Sequence, residues 1–213
     1  MGYDFLIFDL DGTVIDSQRD IAFAVNEVRK ELGFAPLTID KIRSYLGNGV
    51  KALVGRAVPE ADSEILASAF EKFKFYYGRC LTDTTLPYDG MEETLLALNS
   101  KKKAILSNKM EIFSCEIVKR LGIAEYFVEV WGGDTSGVKK PDPKPIFDLI
   151  KKTNSKPEKT IMIGDSENDI KAAKAAGIAS LAVLYGYTDI VRIKEHKPDY
   201  IAAKPEEIIK IVS

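Results

Sequence analysis

Two aspartates set two residues apart, Asp9 and Asp11, follow the apolar run Phe5-Leu6-Ile7-Phe8 and lead into Gly12 and Thr13. A carboxylate can act as a nucleophile, and a second one close by can give and take protons. The pattern of an apolar run closing on polar residues recurs along the chain. Lys103-Ala104-Ile105-Leu106 ends at Ser107 and Asn108, Phe127 to Trp131 ends at Gly132-Gly133-Asp134, and Thr160 to Ile163 ends at Gly164-Asp165 with Asp169 four residues on. Lys140 stands just before Pro141, between the last two of these runs.

These runs are the right length for buried strands, and the segments between them carry helical periodicity. Ile112, Phe113, Ile117, Val118 and Leu121 outline one helix that stops at Gly122. Pro143 to Lys152 outlines another, and Ile170, Ala173, Lys174 and Gly177 a third. Ser180 to Leu184 reads as a fourth strand, and Asp199-Tyr200-Ile201 as an edge strand before a C-terminal helix. Strands alternating with helices imply parallel βαβ units with right-handed crossovers, hence an α/β, doubly wound (Rossmann-like) core. Such sheets bind ligands beyond the carboxyl ends of their strands. Asp9, Asp11, Ser107, Asn108, Asp134, Asp165 and Asp169 are therefore expected to converge. Carboxylates crowded together are costly unless a cation sits among them, and oxygen ligands without His or Cys suit Mg²⁺. The one histidine, His196, falls in a polar turn and is expected at the surface.

Each element also has a local reading. Asp11-Gly12-Thr13 could be a plain turn, and Ser166-Glu167-Asn168-Asp169 is a good capping box. Ser107 could begin a helix, and Lys140-Pro141 could be a solvated loop. It is their shared position at the strand ends of one topology that favours a site.

No convincing strand lies between Asp16 and Asp83. Ser17 and Asp20 match a capping box, followed by Ile21, Val25, Val28 and Leu32, with Gly33 as terminator. Thr38 caps a further piece, and Ile65, Leu66, Ala69, Phe70 and Phe73 are expected on one face of a helix from about Ser63. The expected organisation is a core of residues 1–15 and 84–213 with a helical cap domain, 16–83, inserted after the first strand. Gly47-Asn48-Gly49 interrupts the cap. It is either a helix-terminating turn or a loop that lets backbone approach a small substrate.

The composition excludes several classes. Of 213 residues, 46% are hydrophobic and 29% charged, with a formal net charge of −2, so the chain is neither disordered nor strongly basic. Lys101-Lys102-Lys103 is too short to serve as a nucleic-acid stripe. No apolar stretch is long enough to span a bilayer, and Met1 to Leu10 carries two acids and no cationic lead of the kind found in signal peptides. Two cysteines without CxxC spacing fit a reducing compartment. The expectation is a cytoplasmic protein, monomer or homodimer, with no nucleic-acid or membrane partner.

Asp9-Leu10-Asp11-Gly12-Thr13, Ser107, Lys140-Pro141 and Gly164-Asp165-Ser166 with Asp169 together resemble the four-motif signature of the haloacid dehalogenase-like hydrolase superfamily. Gly47-Asn48-Gly49-Val50-Lys51-Ala52-Leu53, Pro87-Tyr88-Asp89-Gly90, Gly132-Gly133-Asp134 and Lys139-Lys140-Pro141-Asp142-Pro143 are similar to segments of the phosphoglycolate phosphatases within it. The second motif reads Ser107-Asn108-Lys109 where that group commonly has Thr-Asn-Lys.

This resemblance implies a phosphatase acting on a small phosphorylated metabolite, 2-phosphoglycolate first among them. Asp9 would be the nucleophile and Asp11 the general acid/base. Ser107 and the Asn108 amide would hold a phosphoryl oxygen, with Gly12 and Thr13 beside it. Lys140, rather than Lys139, would neutralise charge. Mg²⁺ would rest on Asp9, the Asp11 backbone carbonyl and Asp165, with Asp169 behind. Gly47, Asn48 and Gly49 would contact the leaving group. A pyrophosphatase, a nucleotidase or a phosphomutase stays open within the superfamily, the absence of a cap histidine weighing against the mutase. A receiver-like signalling or binding module is the alternative outside it.

Overall fold

A computed structural model describes residues 2–59 and 61–213. Met1 and Glu60, which fall within the expected core and cap ranges, lie outside the described residues. The strands are, in chain order, β1 (Phe5–Phe8), β2 (Ile15–Asp16), β3 (Leu86–Pro87), β4 (Lys102–Leu106), β5 (Glu129–Trp131), β6 (Thr160–Gly164), β7 (Ala179–Val183) and β8 (Tyr200–Ala202). Six of them form one sheet in the order β5-β4-β1-β6-β7-β8, while β2 and β3 make a separate two-stranded ribbon. Every pairing in the large sheet is parallel.

The burial explains the lack of alternation in the sequence. Leu6, Ile7 and Phe8 of β1 are all fully buried, as expected for a parallel strand covered on both faces. On one face Phe5 and Ile7 join Ala104, Leu106 and Met162 in packing against Ile146 and Leu149 and against Ala172, Ala173 and Ala176. Those residues come from the helices Lys144–Lys152 and Glu167–Ala176.

The strand order matters for function. From β1 the chain moves out through β4 to β5, then returns to the other side of β1 as β6 and continues through β7 to β8. The order reverses at β1, so β1 and its two neighbours frame the topological switch point where open α/β sheets bind ligands. Phe8 is level with Ile105 of β4 and Ile163 of β6, so the three strands end side by side.

The chain forms two compact units. One comprises the residues up to Asp16 and from Pro87 onward, the other Ser17–Leu86. Among the described residues the second unit is helical: Gln18–Glu31, Ile39–Arg43, Val50–Ala57 and Ser63–Arg79. The first of these helices packs against the other three. Thr38 caps its helix by accepting from the Lys41 amide, as expected. The connection to it is tied down by Asn26, which bonds both the amide and the carbonyl of Leu37, and by Arg29, whose Nε donates to the Ala35 carbonyl at 2.7 Å. In the helix Ser63–Arg79 the buried face is Ala69, Phe73 and Tyr77, while Ile65 is exposed. The expected stripe is thus shifted toward the helix's second half.

The capping box expected at Ser17 and Asp20 does not form: Ser17 makes no side-chain cap bond. Asp20 turns instead to the far end of the same unit. It accepts from the amides and hydroxyls of both Thr84 and Thr85 at 2.6–3.1 Å while 3% exposed. A buried carboxylate so served ties Gln18–Glu31 to the segment that leaves the unit. Removing it orphans the buried amide and hydroxyl of Thr85 and leaves those of Thr84 to solvent. Asp20→Ala is therefore expected to destabilise the protein by on the order of 3 kcal/mol, and Asp20→Asn by clearly less. Urea melts of the two variants check this, and equal losses would contradict it.

Candidate active site

The site is assembled from loops that follow adjacent strands of the large sheet. Asp9 comes directly after β1, and its amide donates to the Ile163 carbonyl of β6 at 2.8 Å. Its carboxylate accepts from the amide of Leu10 at 2.7 Å and from Lys140 Nζ at 3.0 Å. Lys140 also reaches Asp169 Oδ1 at 2.6 Å. Lys140 is 2% exposed, whereas Lys139 beside it is exposed, so Lys140 alone carries its charge into the acidic centre.

Asp165 leaves β6 and is 3% exposed. Its Oδ2 accepts from the amide of Tyr187 at 2.6 Å. Two glycines allow that fit: a Cβ on Gly12 or on Gly186 would run into the Asp165 side chain, and Gly12 also adopts φ +80°, a conformation that L-residues disfavour. Asp169 accepts from the Ser166 amide at 3.0 Å and hydroxyl at 2.6 Å through Oδ2, leaving Oδ1 for Lys140. The capping box expected at Ser166 to Asp169 forms through Oδ2, and Oδ1 of the same carboxylate pairs with Lys140.

Asp9, Asp165 and Asp169 each offer an oxygen, all within 4.8 Å of one another. Burial pushes the Asp9 carboxyl up to about 7, with Lys140 pulling it back down and Asp169 raising it again. Burial likewise raises Asp165 well above the usual carboxylate range, and Asp9 and Asp169 add to the rise. One ammonium faces three carboxylates. The group is short of positive charge, and its oxygens could hold a hard cation.

Of the other expected residues, Ser107, Asn108, Asp11 and Thr13 belong to the same unit as this centre. Ser107 follows β4, is 3% exposed, and its Oγ accepts from the Lys109 amide at 3.2 Å. Asn108 Nδ2 donates to the Lys140 carbonyl at 2.9 Å, which links the second motif to the lysine loop. Asp11 forms an ion pair with Lys109 Nζ at 2.9 Å. Thr13 is fully buried, and its carbonyl accepts from the Tyr185 hydroxyl at 3.1 Å. Gly47, Asn48 and Gly49 belong to the helical unit, where Gly49 is the N-cap of Val50–Ala57.

Asp134 departs from expectation. It is exposed and its carboxylate caps the helix Glu111–Arg120 by accepting from the Glu111 amide at 2.8 Å, so it does not join the acidic cluster.

Two contributors were not read from the sequence. Lys109, in the sequence simply the third residue of the second motif, pairs with Asp11. Tyr185-Gly186-Tyr187, beyond β7, supplies the Asp165 amide partner, and the Tyr187 hydroxyl donates to Asp16 at 3.2 Å. Their signal was available: a glycine between two tyrosines just past a strand end marks a loop that must approach closely.

The chain is similar to known proteins over most of its length. The family model of the haloacid dehalogenase-like hydrolases matches residues 6–183. The phosphoglycolate phosphatase of Aquifex aeolicus is 37% identical over 209 residues, covering 97% of this chain and 95% of that protein. The phosphoglycolate phosphatase of Colwellia psychrerythraea is 40% identical over 206 residues, covering 92% and 91%. Among solved structures, one described as a predicted phosphoglycolate phosphatase from Haemophilus somnus superposes with a TM-score of 0.94 at 32% identity, covering 99% of this chain and 98% of that one. The chain belongs to the haloacid dehalogenase-like hydrolase family.

Proposed function

We propose that this protein is a cytoplasmic, Mg²⁺-dependent phosphatase that hydrolyses a small phosphate monoester, 2-phosphoglycolate above all, through an aspartyl-phosphate on Asp9. The observation that carries the reading is the Asp9 carboxylate, held at the carboxyl end of the central strand by Lys140 and backed by Asp165 and Asp169. The relatives named phosphoglycolate phosphatase support the substrate. Family membership replaces the receiver-like alternative.

In the proposed sequence, an Asp9 oxygen attacks phosphorus opposite the leaving oxygen. The bond from phosphorus to that oxygen breaks as Asp11 gives it a proton, releasing the alcohol. Asp11 then takes a proton from a water that attacks the same phosphorus. The bond to Asp9 breaks, and inorganic phosphate leaves. Lys140 neutralises charge on Asp9 and the phosphoryl group, while Ser107 and the Asn108 amide hold a phosphoryl oxygen.

The donor set fits Mg²⁺. Asp9, Asp165 and the Asp11 carbonyl would hold it, with Asp169 acting through water because both its oxygens already accept bonds from Lys140 and Ser166. Bound there, the ion would offset repulsion between the carboxylate and the phosphoryl dianion.

The test is kcat/KM across 2-phosphoglycolate, sugar phosphates, nucleotides and pyrophosphate. Phosphoglycolate should rank first. A site that pairs with a leaving-group carboxylate rejects analogues lacking it by roughly 10²-fold or more. If phosphoglycolate ranks no higher than the others, the substrate assignment fails while the phosphatase reading stands.

A further inference from the structure

We propose that Lys109 is the residue that selects an anionic leaving group, by pairing with the substrate's carboxylate. The inference rests on the reading of Asp9 and Asp11 given above. Lys109 Nζ lies 2.9 Å from Asp11 Oδ2, with the lysine side chain 7% exposed and that of Asp11 19%. If Asp11 protonates the leaving oxygen, that oxygen sits beside it, and therefore beside Lys109. In 2-phosphoglycolate the carboxylate is only two bonds from the leaving oxygen. A carboxylate so close to the leaving oxygen would meet the ammonium that pairs with Asp11.

The backbone at Lys109 is held from both sides. The Lys109 amide donates to Ser107 Oγ at 3.2 Å, and its carbonyl accepts from the Gly133 amide at 2.8 Å. Gly132 packs so tightly here that a Cβ on it would strike the Lys109 carbonyl and the Glu111 backbone. A cation launched from so fixed a base loses little freedom on binding, which favours selectivity.

Charge bookkeeping separates the two lysines. Lys140 is already shared between Asp9 and Asp169. Lys109 pairs with the carboxylate of the acid/base. The division of labour is then clear: Lys140 serves the phosphoryl end and Lys109 the leaving-group end.

The test compares wild type with Lys109→Met and Lys109→Gln on 2-phosphoglycolate and on 2-hydroxyethyl phosphate, which has nearly the same size and a neutral leaving group. Losing one charge-assisted contact should lower kcat/KM for phosphoglycolate roughly 10–100-fold more than for the neutral ester, mainly through KM. A fall equal for both substrates means that Lys109 only positions Asp11, and overturns the inference while leaving the phosphoglycolate reading intact. No preference for phosphoglycolate in the wild type overturns that reading, and the inference with it. Should neither variant fold, Lys109→Arg, which keeps the charge, should keep the preference for phosphoglycolate over the neutral ester. Loss of that preference with the charge retained would overturn the proposal.

Discussion

Replacing Asp9 with asparagine is expected to abolish turnover of every phosphate monoester while the fold persists. The amide has the carboxylate's shape and can still accept from the Leu10 amide, but it is a poor nucleophile. The electrostatics favour retention of the fold. Asp9 is buried with its carboxyl raised to about 7, and burial is the largest cause. Neutralising it removes a costly charge. Lys140 keeps Asp169 at 2.6 Å, so its ammonium is not stranded. Asp11→Asn should slow both chemical steps by roughly 10²–10⁴, the usual contribution of a positioned acid/base. Two readouts check the pair. Steady-state rates give the size of the loss. Acid-quenched mass spectrometry should find phosphate on wild-type protein and none on Asp9→Asn. Wild-type rates in the asparagine variant, once contaminating phosphatases are removed, would rule out the covalent route.

What the sequence made legible follows from how locally each feature is encoded. The central strands were readable because both faces are covered, so that Phe5–Phe8 and Thr160–Gly164 are apolar without interruption. Their ends were readable because a parallel sheet puts its ligand residues there, which brought Asp9, Ser107 and Asp165 to adjacent positions. The helices Met91–Ala97 and Ile190–Glu195 were not read, being only two turns or less and giving little periodicity to detect. Asp20 and Asp134 show the other failure. Both occupy plausible local roles in the sequence, and both are recruited by partners far along the chain: Thr84 and Thr85 for the first, Glu111 for the second. A short polar side chain does not announce which distant donor it will meet. The same holds for Lys109, whose pairing with Asp11 spans two strand ends.

Chelation with EDTA is expected to remove activity, and Mg²⁺ to restore it. Calcium should bind yet support little turnover, because its larger and more flexible shell can engage both oxygens of Asp9 and leave none directed at phosphorus. The same site predicts a stability effect that does not depend on turnover. In the metal-free protein Asp9 titrates near 7, against 3.8 ordinarily. Its native state therefore holds a proton that the unfolded chain has already released. Stability must fall as pH rises from about 4 towards 7, the sign given by proton linkage when the native state binds more protons. Asp165 is shifted in the same direction and adds to the trend. A cation bound by the ionised carboxylates works against that loss and binds more tightly as they deprotonate. The rise in Tm produced by Mg²⁺ should accordingly be larger at pH 8 than at pH 5. Thermal melts at the two pH values, with and without the ion, measure it. An equal rise at both would show that the ion does not bind through Asp9 and Asp165. Full activity with calcium would contradict the separate argument about in-line attack. Together the two measurements distinguish where the cation binds from what it does there.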